Sequence, residues 1–189
     1  MRAGDRRAQI LLTAGRLFGE RGYAGTRLDD IAAAAGVTKP IVYRHFDSKQ
    51  ALYVALLQKH EADLPSFLAH AAELAPDVEI EAVLRLILEH WFDYVRANQH
   101  SWLMLFRDSS GDAEIRELRS RVSARAREVL AGFIATRPAT HLPSEQVAPT
   151  AELVVSGLAG LALWWIDHPE VDKEPLVDVA VRMASPAFS

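Results

Sequence analysis

Apolar residues recur along this chain at intervals of three and four positions, the spacing of one face of an α-helix. In the first segment Ile10, Ala14 and Leu17 share such a face. Gly22 follows as the C-terminal glycine of a helix that we predict from Asp5 onwards. No segment carries the signals of a strand, so the pattern predicts an all-α protein.

The next two predicted helices are short and are separated by a tight turn. Thr26 and Asp29 match a T-x-x-D capping pattern, which predicts a second helix from Thr26 to Gly36. Gly36 can adopt the positive φ of a tight turn, and Thr38 can cap a third helix with Pro40 in its first turn. This arrangement is typical of a helix-turn-helix, whose second helix enters the major groove of DNA.

The third predicted helix has a buried side and an exposed side. At 100° per residue, Val42 and Phe46 point together towards the first two helices, and Pro40 and Arg44 point away from them. The Arg44 guanidinium can make two bonds to guanine O6 and N7, so Arg44 is the candidate for reading base sequence. The alternative for Arg44 is a solvated surface arginine.

Six further helices are predicted after the third. Asp47 and Gln50 form another capping pattern, which begins a long fourth helix towards Ala72 that Pro65 should bend. The remaining predicted helices cover residues 77–98, 100–106, 112–136, 144–167 and 175–184. Glutamates interleave with the arginines of the seventh helix, which favours a mostly solvated face over a second nucleic-acid patch. These arginines are Arg116, Arg119, Arg121, Arg125 and Arg127.

Composition narrows the class of protein. The chain has 189 residues, of which 50% are hydrophobic, so it can bury a sizeable core. It has no cysteine, which excludes disulfides, thiolate catalysis and cysteine-bound zinc. Arg16 and Glu20 interrupt the apolar run near the start, unlike a signal peptide, and the apolar stretch 158–166 is too short to span a bilayer. We therefore expect a soluble, cytoplasmic protein that does not enter a membrane.

The charges are distributed unevenly. Residues 1–50 hold nine Lys or Arg against five Asp or Glu, although the whole chain carries a net charge of −4. A basic beginning on an acidic chain fits contact with a polyanion at one end, with chance clustering as the alternative.

The sequence contains none of the common catalytic motifs. H-E-x-x-H, G-x-S-x-G and a phosphate-binding glycine loop do not occur, and the seven histidines lack metal-ligand spacing. We therefore predict that the protein is not an enzyme and has no catalytic residues, metal or cofactor.

The segment GYAGTRLDDIAAAAGVTKPIVYRHFDSKQAL resembles the N-terminal domain of the tetracycline-repressor (TetR) family of bacterial transcriptional regulators. The residues that carry the resemblance are Leu17, Phe18, Gly22, Tyr23, Thr26, Ile31, Ala32, Gly36, Val37, Tyr43, Phe46, Lys49 and Leu52. The chain departs from the family at Gly15, usually Ala, where glycine should cost about 1 kcal/mol of helix stability. It departs again at Pro40, a position that is often Gly. The resemblance implies a three-helix DNA-binding domain at residues 1–48 and a larger helical effector-binding and dimerisation domain at residues 49–189.

The resemblance also implies which residues contact DNA. Thr26, Arg27 and Lys49, at the starts of the second and fourth helices, would hold phosphates, where unpaired N–H groups favour anions. The major groove or its edge would be lined by Thr38, Lys39, Pro40, Ile41, Tyr43, Arg44 and His45. For His45, packing beside the core is the alternative.

The second predicted domain holds all four tryptophans, a density that suits a pocket for a flat apolar ligand. Together with the cavity that the resemblance implies, this gives a candidate effector-binding set, with core packing as the alternative for each member. The set is Phe67, Trp91, Tyr94, Trp102, Phe106 and Trp165. Gly157, Gly160 and Trp164 share one face of the eighth helix, and the family pairs its last two helices with their copies in a dimer.

These inferences predict a ligand-responsive transcriptional regulator. We expect a repressor that binds a palindromic operator in double-stranded DNA as a homodimer and is released by a small apolar or aromatic effector. Activation stays open. The alternative is a helical small-molecule-binding or adaptor protein without regulatory DNA binding, which salt-dependent binding to DNA would separate from a regulator.

Overall fold

The computed structural model describes residues 3–59, 79–107, 113–136 and 142–187. These residues form α-helices and a short 3₁₀ helix, with no strand among them, which confirms the all-α prediction. The helices are α1 (Ala3–Gly25), α2 (Leu28–Ala34), α3 (Lys39–His45), α4 (described over residues 49–59), α5 (Ile80–Ala97), α6 (Gln99–Phe106), α7 (Ala113–Thr136), α8 (Ser144–Asp167) and α9 (Lys173–Ala184), followed by the 3₁₀ helix Ser185–Ala187. Pro65, Phe67 and Ala72 lie outside the described residues.

Glycines interrupt or end the first two helices. Gly22 has φ 71° and ψ 170°, which breaks α1 at the residue where the sequence predicts its end. Gly36 has φ 63°. Its N–H donates to Ala33 O at 3.1 Å, and the Val37 N–H donates to Ala32 O at 3.0 Å. These two bonds form a Schellman motif, in which a residue with positive φ follows the helix, so the tight turn predicted at Gly36 is confirmed.

The α2 helix begins later than its capping pattern predicts. Arg27 is the N-cap residue, and its N–H donates to Asp30 Oδ2 at 3.3 Å. The predicted capping pair of Thr26 and Asp29 is therefore wrong by one residue, because the Thr26 side chain turns into the protein instead of towards the helix start.

The α4 helix also has a different cap from the predicted one. The Ala51 N–H donates to Ser48 Oγ at 3.0 Å, and the Leu52 N–H donates to Ser48 O at 3.1 Å. Serine is as good an N-cap as aspartate, so Ser48 serves where the sequence predicts Asp47 with Gln50.

The chain divides into two compact units. The first comprises residues 1–61 and 98–122, and the second comprises residues 62–97 and 123–189. In the first unit, residues from α1 to α4 share one core with α6 and the start of α7, including Phe18, Ile31, Leu52, Met104 and Ile115. The domain boundary after residue 48 stays a prediction.

Within the first unit, α6 packs directly on α1 at a glycine. A Cβ built on Gly19 would lie 2.5 Å from the His100 carbonyl oxygen and 2.8 Å from His100 Cα, so the two backbones touch there. At Gly15 a Cβ would lie 3.5 Å from Leu56 Cδ2, which is ordinary contact. The structure therefore requires glycine at position 19 and has room for alanine at position 15.

A buried polar link joins α4, α6 and α7 in the same unit. The fully buried Tyr53 hydroxyl donates to Met104 O at 3.2 Å and accepts hydrogen bonds from Arg119 Nε at 3.1 Å and Nη2 at 2.7 Å. The Arg119 guanidinium also lies 5.5 Å from the Tyr53 ring centroid. Arg119 is only 9% exposed, so the solvated arginine face predicted for α7 is wrong at this residue.

In the second unit, α5 packs against α9. Two ion pairs connect these helices: Arg85 Nη2 lies 2.6 Å from Asp178 Oδ1, and Lys173 Nζ lies 2.6 Å from Asp93 Oδ1. Both pairs are partly exposed and contribute little to stability. The buried residues of the two helices are Val83, Leu84, Leu88, Trp91, Phe92 and Val95 on α5 and Leu176, Val177, Ala180, Val181 and Ala184 on α9.

Candidate nucleic-acid interface

The α3 helix presents one side to the core and the other to solvent. Val42 and Phe46 are buried, as the sequence predicts. We call the opposite side the outer face of α3; it consists of the exposed residues Lys39, Pro40, Tyr43 and Arg44. Ile41 lies half-buried beside it. The helix therefore displays cationic, aromatic and apolar groups side by side on a backbone that is anchored by its buried residues.

The start of α3 is set by Thr38. Its carbonyl oxygen accepts from the Ile41 N–H at 2.9 Å and from the Val42 N–H at 3.3 Å, which confirms Thr38 as the N-cap residue. Its side chain makes no capping hydrogen bond and is exposed. Pro40 lies in the first turn, as predicted, where a missing N–H costs nothing.

His45 lies at the boundary between the outer face and the core. Its side chain is half-buried, and its Nε2 atom is enclosed without a hydrogen-bond partner among the described residues. This placement favours the packing alternative over a base contact. The Arg7 guanidinium lies over the neighbouring Phe46 ring, 4.9 Å from the ring centroid. This contact connects α1 to the end of α3.

Thr26 is fully buried between α1 and α2. Its hydroxyl lies 2.9 Å from Gly22 O and 3.1 Å from Leu17 O, so it donates into the broken end of α1. A residue without exposed surface is poorly placed to touch a phosphate, so this burial disfavours a phosphate contact by Thr26, which stays a prediction. Arg27, the next residue, is exposed.

Lys49 has an internal role that the sequence does not reveal. Its ammonium donates to Tyr23 O at 2.8 Å and to Thr26 O at 3.1 Å, and it lies 4.2 Å from the Tyr23 ring centroid. Lys49 therefore holds the turn between α1 and α2 against the start of α4. A phosphate contact by Lys49 stays a prediction.

Ion pairs connect α2 to both of its neighbouring helices. The Lys39 ammonium pairs with Asp29 of α2, with Nζ 2.9 Å from Oδ1. Arg21 Nη1 lies 4.0 Å from Asp30 Oδ2, at the limit of an ion pair. The outer face of α3 thus combines exposed cations with a carboxylate close to one of them.

The predicted effector-binding aromatic residues fall into two groups. Trp91 and Trp165 lie in the second unit, where the rings of both meet the Phe92 ring edge-on at 4.9 and 5.5 Å. Trp102 stacks on Phe106 at 4.9 Å in the first unit. Tyr94 is half-buried on α5. Each group makes aromatic contacts of its own, so a single effector-binding set stays a prediction.

The α8 helix has an exposed apolar face, which consists of Leu153, Gly157, Gly160 and Trp164. Leu153 is 69% exposed and Trp164 is 45% exposed. A Cβ built on either glycine would meet no atom within 4 Å, and the Trp164 ring stacks on His168 at 4.1 Å.

Length and composition would also let α8 cross a membrane. It has 24 residues, its most apolar stretch of 18 residues has a mean hydropathy of 1.5, and 11% of that stretch is buried. The stretch 158–166 is short, as the sequence shows, but the helix that contains it is 24 residues long. Such measures are weak indicators of a membrane helix, because an apolar helix that another chain covers satisfies them too.

Comparison with known proteins identifies the family. The family model for bacterial regulatory proteins of the tetR family matches residues 10–56, and the model for the tetracyclin repressor-like C-terminal domain matches residues 80–185. The second match alone covers more than half of the chain. The protein belongs to the TetR family of transcriptional regulators, which are ligand-responsive DNA-binding proteins.

Curated relatives agree with this assignment. The chain is 28% identical over 192 residues to the HTH-type transcriptional activator FasR of Mycolicibacterium smegmatis, an alignment that covers 95% of this chain and 81% of FasR. It is 41% identical over 92 residues to the HTH-type transcriptional regulator TtgR of Pseudomonas putida, covering 48% of this chain and 43% of TtgR.

Solved structures share the fold. A TetR-like transcriptional regulator from Rhodococcus sp. RHA1 superposes with a TM-score of 0.74 at 25% identity, over 95% of this chain and 93% of that one. AibR, solved with isovaleryl coenzyme A and operator DNA, superposes with a TM-score of 0.71 at 23% identity, over 97% of this chain and all of AibR.

Proposed function

We propose that this regulator reads its operator with the outer face of α3. The observation that carries the proposal is the exposure of Lys39, Tyr43 and Arg44 on a helix that buries Val42. Arg44 would contact base edges, because a guanidinium can bond guanine at two atoms at once. Arg27 and Lys49 would contact phosphates, and the exposed Thr38 and Pro40 with the half-buried Ile41 would line the groove beside them.

Dimerisation would use the exposed apolar face of α8 together with α9. Large exposed apolar surfaces on soluble proteins mark sites of association, and the open space above Gly157 and Gly160 allows another backbone to approach. Met183 and Val179 add exposed apolar surface on α9. A two-fold dimer presents two copies of α3, which fits a palindromic operator with half-sites about one helical turn apart.

The effector would be a small molecule with an apolar part, bound by the predicted effector-binding domain at residues 49–189. AibR is solved with isovaleryl coenzyme A, and the FadR regulator of Bacillus subtilis is solved with stearoyl-CoA. Acyl-coenzyme A thioesters are therefore the first compounds to test. We propose that the protein is a cytoplasmic repressor without catalytic activity and that the effector relieves the repression. Because FasR is a transcriptional activator, a reporter assay must decide between repression and activation.

The test is binding to duplex DNA from beside the coding region, measured by fluorescence anisotropy at several salt concentrations. Arg44→Ala should weaken operator binding by about 1 to 3 kcal/mol and relax preference at one base position per half-site. Arg16→Ala is the matched control, because Arg16 is an exposed arginine of α1 that pairs with Glu20 at 3.1 Å.

Equal effects of the two variants would contradict the assignment of α3. Salt-independent or absent DNA binding would instead favour a helical small-molecule-binding or adaptor protein. The effect of the effector is tested separately. An acyl-coenzyme A that binds the protein should change its affinity for the operator. By linkage, the operator should change the affinity for that acyl-coenzyme A by the same factor.

A further inference from the structure

A carboxylate lies against a cation of the outer face of α3. Lys39 Nζ is 2.9 Å from Asp29 Oδ1 and 3.1 Å from Asp29 Oδ2. The pair connects α2 to α3 across the turn at Gly36, so it joins the two helices of the helix-turn-helix. The hydrogen bond to Asp29 raises the pKa of the Lys39 ammonium above its usual range, so Lys39 stays charged at neutral pH.

Stability does not explain this pair. The two side chains are 50% and 62% exposed, and exposed ion pairs contribute little to folding. The adjacent Asp30 differs, because its carboxylate accepts from the Arg27 N–H at the start of α2. Asp29 therefore has one described partner, the Lys39 ammonium, and that partner belongs to the face proposed to meet DNA.

The pair should affect specific and non-specific DNA differently. Non-specific binding depends on the number of phosphates that cations neutralise, and a lysine whose charge a carboxylate already compensates adds little to it. Binding to an operator in fixed register depends on directed hydrogen bonds. An ammonium has three N–H donors, so Lys39 can keep its bond to Asp29 and still donate to one group on DNA.

We propose that Asp29 is a specificity-determining residue: it holds and orients the Lys39 ammonium, which weakens binding to non-operator DNA more than binding to the operator. This inference rests on the proposed DNA contact of α3.

The experiment compares wild type, Asp29→Asn and Glu20→Gln. Glu20→Gln removes the same charge from an exposed pair on α1, so it controls for net charge. Each protein is titrated into two labelled duplexes, one selected by the wild-type protein from a random-sequence pool and one of scrambled sequence, over a range of salt concentrations. Thermal melting confirms that each variant is folded.

Asp29→Asn should tighten binding to the scrambled duplex by about 3- to 10-fold at low salt and steepen its salt dependence by up to about 0.9 per half-site, the value for one phosphate contact. Affinity for the selected duplex should rise less or fall, so the ratio of the two affinities should drop. Glu20→Gln should leave this ratio near the wild-type value. In a Lys39→Gln background, Asp29→Asn should no longer change it.

An unchanged ratio in Asp29→Asn, or an equal change in Glu20→Gln, overturns the inference while leaving the proposed DNA contact intact. A ratio that still drops when Lys39 is already replaced also overturns it, because Asp29 would then act on DNA directly. If the wild-type protein selects no sequence from the pool, the proposed function fails first, and the role of Asp29 fails with it.

Discussion

Replacing Gly19 with alanine tests the close approach of α1 and α6. The added Cβ would lie 2.5 Å from the His100 carbonyl oxygen, 2.8 Å from its Cα and 2.9 Å from its Cβ. Real Cβ atoms do not come this close to backbone atoms, and neither helix can yield by rotating a side chain. The substitution must therefore separate the two helices or distort the start of α6.

Two effects of opposite sign determine how much the free energy of unfolding changes. Alanine in a helix interior is more favourable than glycine by about 1 kcal/mol. Overpacking a well-packed contact typically costs about 1 to 3 kcal/mol. Gly15→Ala gains the first effect without the second, because its Cβ would meet Leu56 Cδ2 at 3.5 Å and Ser101 Oγ at 3.8 Å.

Gly19→Ala should therefore be about 1 to 3 kcal/mol less stable than Gly15→Ala, and Gly15→Ala should melt about 2 to 4 °C above wild type. Urea and thermal unfolding, followed by circular dichroism at one fixed protomer concentration, measure both variants. The concentration must be fixed because dimerisation changes apparent stability. If Gly19→Ala proved as stable as Gly15→Ala, the backbone contact at His100 would be refuted.

Three further substitutions, the first with a control variant, test the remaining features. Tyr53→Phe should cost about 1 to 3 kcal/mol because it removes a buried hydrogen-bond partner of Arg119, whereas Tyr43→Phe on the surface should cost less than about 0.5 kcal/mol; coincident melting curves would contradict the buried link. Gly160→Arg should fold but sediment as a monomer, and an unchanged dimer would exclude this face as the interface. Lys49→Ala should lower both the melting temperature and the affinity for every DNA sequence, and an unaltered melting temperature would rule out its internal role.

The sequence predicts the helix-turn-helix because its signals are local. Gly36 needs a positive φ, Pro40 fits only the first turn, and Val42 with Phe46 follows the helical period, so each feature depends on its immediate neighbours. The capping patterns are less decisive. Two candidate residues stand side by side at the start of α4, and sequence alone does not say that Ser48 provides the cap.

Thr26 shows how tertiary contacts override a local pattern. A threonine three residues before an aspartate matches a capping signal, but its hydroxyl lies 3.1 Å from Leu17 O and 2.9 Å from Gly22 O, next to the break in α1. Arg119 escapes prediction for a similar reason, because its partner Tyr53 is 66 residues away in the chain. Gly19 carries no periodic signal at all, and only the position of α6 reveals its importance.

The contact at Gly19 also limits how the first unit can deform. Side chains absorb small displacements by changing rotamer, but two backbones in van der Waals contact have no such compliance. At this point no side chain lies between α1 and α6 that could absorb a displacement by changing its rotamer. A force that drives α6 towards α1 therefore moves α1 with it, and the two helices behave under compression as a single stiff part.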